Sequence, residues 1–119
     1  LNQLEQSREI IKIAYHVLED KKGEDIKVLD IHEVSVIADY FIIASGKNVN
    51  QVQAMAEAVE EELIKNNFKL VHKEGYHSSG WILLDFGSVV IHVFDKEVRD
   101  FYCLERLWRD APAISVDTL

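Results

Sequence analysis

The sequence predicts an α/β (α+β) domain on a mixed sheet of about five strands flanked by helices, and three observations carry that prediction. Apolar residues recur at helical spacing in three separate segments. Short runs rich in aromatic and β-branched residues, above all YFIIAS at 40–45, lie between them. Two further runs, Trp81–Asp85 and residues 88–94, follow each other across a turn and are apolar on both of the faces they would present.

In chain order, Ile10, Ile11, Ala14, Val17 and Leu18 place an amphipathic helix over residues 4–22, and Gly23 offers its stop. Residues 26–31 read as a short strand and 33–39 as a connection. The run 40–45 reads as a buried strand closed by Gly46. Val49, Val52, Ala56, Val59 and Leu63 repeat at three and four residues behind Asn48, an N-cap type, so residues 49–67 form the second helix. Its other face carries Glu57, Glu60, Glu61 and Lys65 and reads as solvated. Phe68, Leu70 and His72 alternate along a third strand at 69–74, which could complete a crossover unit with strand 40–45 and the helix between them. A polar loop over 75–80 then leads into the hairpin.

A two-residue turn at Phe86 and Gly87 would set Leu84 opposite Val89, Ile82 opposite Ile91 and Trp81 opposite His92. Side chains alternate along a strand, so Ile82, Leu84, Val89, Ile91 and Val93 share one face. Trp81, Leu83, Asp85, Val90, His92 and Phe94 share the other. A short chain builds one core on one side of such a sheet, so the second face needs a helix, a second copy or another protein to cover it. Val98, Phe101, Leu104, Leu107 and Trp108 mark a last helix that Asp110 and Pro112 would end. Arg99, Tyr102, Arg106 and Arg109 group away from that stripe and are expected to point outward. Residues 1–110 are read as a single domain and 111–119, which have no pattern, as a loose tail.

With 119 residues and 48% hydrophobic content, the chain can bury one core without staples. Thirteen basic against 21 acidic residues give a net charge of −8, which repels free nucleic acid and anionic membrane and attracts a basic partner surface. Cys103 is the one cysteine, which removes an internal disulfide and suits a reducing, cytoplasmic compartment. No transmembrane segment or signal peptide is read in the sequence.

The chemistry-bearing residues make no catalytic pattern. His16, His32, His72, His77 and His92 show no short metal-ligand spacing, so no metal or cofactor is expected. His92, inside an apolar strand, reads either as a recognition imidazole or as a partly buried histidine with local partners. Ser45 and Gly46 end a strand before a helix, as a phosphate-binding turn would, but lack the lysine of a P-loop and the glycines of a dinucleotide site. Asp30, Asp39 and Asp85 are scattered, whereas two-metal phosphoryl transfer needs carboxylates together. Asp85 reads as a turn residue or as a negative contact beside Trp81.

Ala38 through Gly46, Glu74-Gly75, Gly80 through Gly87, Val90 through Phe94 and Arg99 through Trp108, in that order, resemble the ribosomal silencing factor family, RsfS or Iojap-related. The likeness covers nearly the whole chain. It implies a fold like that of nucleotidyltransferases without their paired catalytic carboxylates, and no enzyme activity. It also implies binding to the large ribosomal subunit at its protein numbered fourteen, blocking the joining of the small subunit and so repressing translation. Trp81, Leu83, Asp85, Arg99 and Tyr102 are carried over as contact residues, and the hairpin-face argument adds His92 and Phe94. Ser88 stands where an acidic residue is frequent in the family. A homodimer in the free state would cover the same apolar face. The alternative is a nucleotidyltransferase-like enzyme acting on nucleotides through Ser45, Gly46 and the scattered aspartates.

Overall fold

A computed structural model of the chain describes residues 2–33, 36, 38–75, 80–102 and 112–119, with backbone alone at 100–102 and 118. Asn2 starts helix α1 (Gln3–Asp20) by accepting the Glu5 N–H at 2.8 Å, which satisfies one of the donors that a helix start leaves unpaired. Ile10, Ile11, Ala14 and Leu18 form its buried stripe. The helix stops where Lys22 takes φ +65° and the Gly23 N–H bonds back to the Leu18 carbonyl at 2.8 Å.

Helix α2 (Val49–Lys65) is capped by Asn48, which accepts the Gln51 N–H at 2.8 Å. Val52, Met55, Ala56, Val59 and Leu63 are sealed beneath it, so Met55 takes the inward place that the spacing gave to the exposed Val49.

The strands are β1 (Glu24–Asp30), β2 (Tyr40–Gly46), β3 (His72–Glu74), β4 (Trp81–Asp85), β5 (Val89–Asp95) and β6 (Ala113–Ile114), with helix α3 (Lys96–Tyr102) following β5. They form one six-stranded mixed sheet in the order β3-β4-β5-β2-β1-β6, in which β2 and β5 run parallel and every other pair is antiparallel. The crossover through α2 therefore joins parallel strands of one sheet with β5 and β4 laid between them.

Two apolar layers result. One lies under α1 and α2 and takes in Ile42, Ile82, Leu84, Val89, Ile91 and Val93. The other holds Leu29, Ile31, Phe41, Ile43, Val90 and Phe94, with Trp81, Leu83 and Val98 at its border.

The hairpin register differs from the expected one by two residues. The Phe86 N–H bonds the Val89 carbonyl at 2.9 Å, so the turn residues are Gly87 and Ser88. Gly87 sits at φ +90°, a region glycine enters without a Cβ clash. Trp81 thus pairs with Phe94, Ile82 with Val93 and Leu84 with Ile91. A slip of two preserves which side chains share a face, so the expected division between the two layers stands.

The tail expected to be loose is docked. Ala113 and Ile114 pair with Leu29 and Val28, the Pro112 carbonyl accepts the Asp30 N–H at 3.0 Å, and Ile114, Val116 and Leu119 pack on the layer beneath α1 and α2. The residues expected to extend the last helix (Leu104, Arg106, Leu107, Trp108, Arg109), together with Cys103 and His77, lie outside the described residues.

Candidate partner-binding face

Strand β4 alternates half-buried and buried residues, so Trp81, Leu83 and Asp85 form a partly open row while Ile82 and Leu84 face the helices. Each end of the row is held. Asp85 Oδ1 accepts the Gly87 N–H at 2.8 Å, which ties the carboxylate to the turn. Trp81 lies on Phe94, with ring centroids 5.0 Å apart and planes 26° from parallel, and its indole Nε1–H donates to His92 Nδ1 at 3.1 Å.

Phe94 and His92, which the sequence suggested as contact residues, do not line the surface. Phe94 is fully buried and His92 is 4% exposed, because both stand on the inner strand β5, which α3 packs against and the neighbouring Trp81 ring adjoins. Phe41 meets the imidazole edge-on at 4.6 Å. Burial pushes the His92 pKa down to about 4, so the ring is neutral near pH 7. Since Nδ1 accepts from Trp81, the proton is on Nε2, which finds no hydrogen-bond partner among the described residues.

Arg99 also departs from its outward assignment. It is 7% exposed, and Nη1 donates to the Asp25 carbonyl at 2.6 Å and to Ser45 Oγ at 2.8 Å. The Asp25 carbonyl is available because β1 carries an irregular register between Glu24 and Lys27, with Asp25 at φ +48°. Tyr102 is the last described residue of α3, and its side chain is outside the described residues.

Two residues that the sequence reading did not assign to this face join the row. His72 pairs with Asp85 and Glu74 with Leu83, and directly opposed residues of an antiparallel pair share a face. His72 Nε2 and Glu74 Oε1 are 2.8 Å apart, which gives the apolar row a polar rim. The alternation of Phe68, Leu70 and His72 did not give this: β3 begins only at His72, and Phe68 and Leu70 pack on the layer beneath α1 and α2.

At the start of β4, Gly80 is wedged against α3. A Cβ there would stand 2.6 Å from Val98 Cγ2 and 2.8 Å from the Asp95 Cβ, while the Gly80 carbonyl already accepts the Asp95 N–H. Gly80→Ala is expected to cost about 2 kcal/mol by overpacking. A urea midpoint equal to that of the wild type would refute this.

The turn after β2 holds little room for a phosphate. Ser45 Oγ takes the Arg99 guanidinium, and the Lys47 N–H is taken by Gln51 Oε1 at 2.6 Å. The scattered aspartates are engaged locally, Asp30 with His32, Asp39 with Gln3 at 2.8 Å and Asp85 with its turn. Among the described residues no cluster of three or more His, Cys, Asp or Glu could hold a metal, and no helix is long and apolar enough to cross a membrane. A cleft of about 870 Å³ opens beside the hairpin turn, lined by Gln3, Asp39, Phe86 and Ser88 among others, and contains none of the β4 row.

Comparison with known proteins sets this face in context. Residues 4–119 match the family model described as ribosomal silencing factor during starvation, RsfS. The ribosomal silencing factor RsfS of Bacillus subtilis is 42% identical over 92% of this chain and 93% of its own length. A mouse protein named mitochondrial assembly of ribosomal large subunit protein 1 is 32% identical over 82% of this chain and 44% of its own. The crystal structure of a Chromobacterium violaceum protein superposes with a TM-score of 0.82 at 41% identity, covering 84% of this chain and 83% of that one. A match running from the first helix to the docked tail, at this identity and with the same fold, means that the chain belongs to the ribosomal silencing factor family, RsfS.

Proposed function

We propose that this protein is a non-enzymatic translational repressor of the cytoplasm that docks on the large ribosomal subunit through its protein numbered fourteen and blocks joining of the small subunit. The observation that carries this reading is the row Trp81, Leu83 and Asp85, partly open on β4 and fixed from behind by Phe94, His92 and the hairpin turn. An indole held on rigid support is the kind of residue that dominates interface energy. The net charge of −8, with Asp85 and Glu74 on this face, favours a basic partner surface and fast, salt-sensitive association. The names of the relatives support a ribosomal role. In the free state the same row is proposed to be covered by a second copy.

The test is co-sedimentation with separated large and small subunits at two salt concentrations. Binding to the large subunit alone is expected, weaker at high salt. Trp81→Ala is expected to weaken it at least thirtyfold, since a central aromatic anchor contributes about 2 kcal/mol or more. Retention on the small subunit, or on neither, would remove the proposal.

A further inference from the structure

We infer that the seat of the C-terminal segment, along the margin of β1 and against α1, is a strand-addition site, filled by residues 112–119 of the same chain and, by exchange, by the same segment of a second copy. The contacts are those of a bound peptide. The Pro112 carbonyl accepts the Asp30 N–H at 3.0 Å, and Ala113 and Ile114 pair antiparallel with Leu29 and Val28. Ile114, Val116 and Leu119 pack on the layer beneath α1 and α2, whereas Ala113 and Asp117 are exposed. Backbone bonds thus set the register and alternate side chains supply selectivity, as in strand addition between chains. The segment also brings its own turn, Val116–Thr118, which rests on α1 and starts where Ser115 Oγ accepts the Asp117 N–H at 3.2 Å.

Two features favour exchange. The ladder is two residues long and its apolar anchors are half-buried, so this segment opens more readily than the inner strands β2 and β5. Opening strips Ile114 from Val28, which is 2% exposed, and bares backbone groups of residues 28–30 at an apolar margin, the kind that recruits another strand. A second copy offers the identical sequence, so reciprocal exchange restores these contacts and closes as a two-fold dimer. Because β1 and β6 lie at the opposite end of the sheet from β3 and β4, the exchange uses none of Trp81, Leu83 or Asp85. It is independent of the reading of that row.

A full-length variant carrying Ile114→Asp and Val116→Asp keeps the seat and loses the anchors of its own segment. A fluorescent synthetic peptide of residues 112–119 is expected to bind this variant saturably. A tethered segment competes at about a millimolar, so a peptide of about 30 μM affinity should bind wild type roughly thirtyfold more weakly. In wild type, the Asp30 amide is expected to exchange with solvent at least ~100-fold faster than the amides of β2 and β5, a measurement that needs no variant to fold. At millimolar concentration, a mixture of isotope-labelled and unlabelled wild type should show contacts between Ile114 of one copy and Val28 of another. Failure of the folded variant to take up the peptide would overturn the site, as would exchange of the Asp30 amide only through global unfolding. Peptide binding without any cross-copy contact would overturn the exchange.

Discussion

Arg99→Ala is expected to lower the unfolding free energy by about 3 kcal/mol, because it strands the buried Ser45 hydroxyl, removes the donor to the Asp25 carbonyl and leaves a hole at the end of the sheet. The guanidinium links α3 to the Ser45 end of β2 and the irregular start of β1, which themselves meet at the Glu24–Ser45 pair. Without it the Asp25 carbonyl, turned out of the ladder at φ +48°, and Ser45 Oγ both lose a charged donor. For a chain of this length the loss corresponds to a fall in Tm of about 10–15 °C. Arg99→Lys should recover only part of it, since one ammonium lacks the rigid fork. Binding to large subunits, measured well below the melt, is expected to change little. A loss under about 1 kcal/mol, or a loss of binding with full stability, would contradict this structural role.

Acidification is expected to remove a similar amount through His92. The unfolded chain takes up a proton near the ordinary 6.5, whereas burial holds the folded imidazole neutral down to about 4. Between those values the unfolded state binds more protons, so stability falls as pH drops from 6.5 to 4 and is level below that. The gap corresponds to about 3 kcal/mol at full extent. His32 works in the opposite sense: its pKa is raised, mainly by its hydrogen bond to Asp30, so its contribution is present at low pH and fades as pH rises through the folded value. That ring is exposed and its contribution is screened. Urea midpoints of wild type and His92→Leu at pH 7 and pH 4 isolate the effect, because every other group cancels in the difference. Parallel pH profiles for the two proteins would refute it.

The sequence carried the division of the hairpin into two faces because that division depends only on residue parity. The turn moved by a residue at each end and the register by two, yet Ile82 and Leu84 still face α2 while Trp81 and Leu83 face the other layer. The first two helices were legible because apolar spacing sustained over many residues leaves one choice of buried stripe. Arg99 was not. Seven residues of α3 begin directly at the end of β5, and position on a helical wheel says nothing of a bulge in β1 whose carbonyl draws the side chain inward. Likewise two residues of β6 carry no periodicity, and their pairing with β1 is a tertiary event. On the β4 and β5 strands, which side chains share a face was legible, but their depth was not. His92 and Phe94 lie on a central strand, a fact of strand order that alternation along one strand leaves open.

The strand added by residues 113–114 bears on how the protein behaves in concentrated solution. Exposed backbone at the margin of a sheet invites other chains to add strands, and long, flat, apolar margins aggregate. Here one margin is the two-residue β6 and the other is the three-residue β3, whose side chains are His72, Lys73 and Glu74. The apolar end of the longer β1, Val28 to Asp30, is covered. Short, charged margins of this kind disfavour edge-to-edge polymers, so the fold protects itself against growth through its sheet margins.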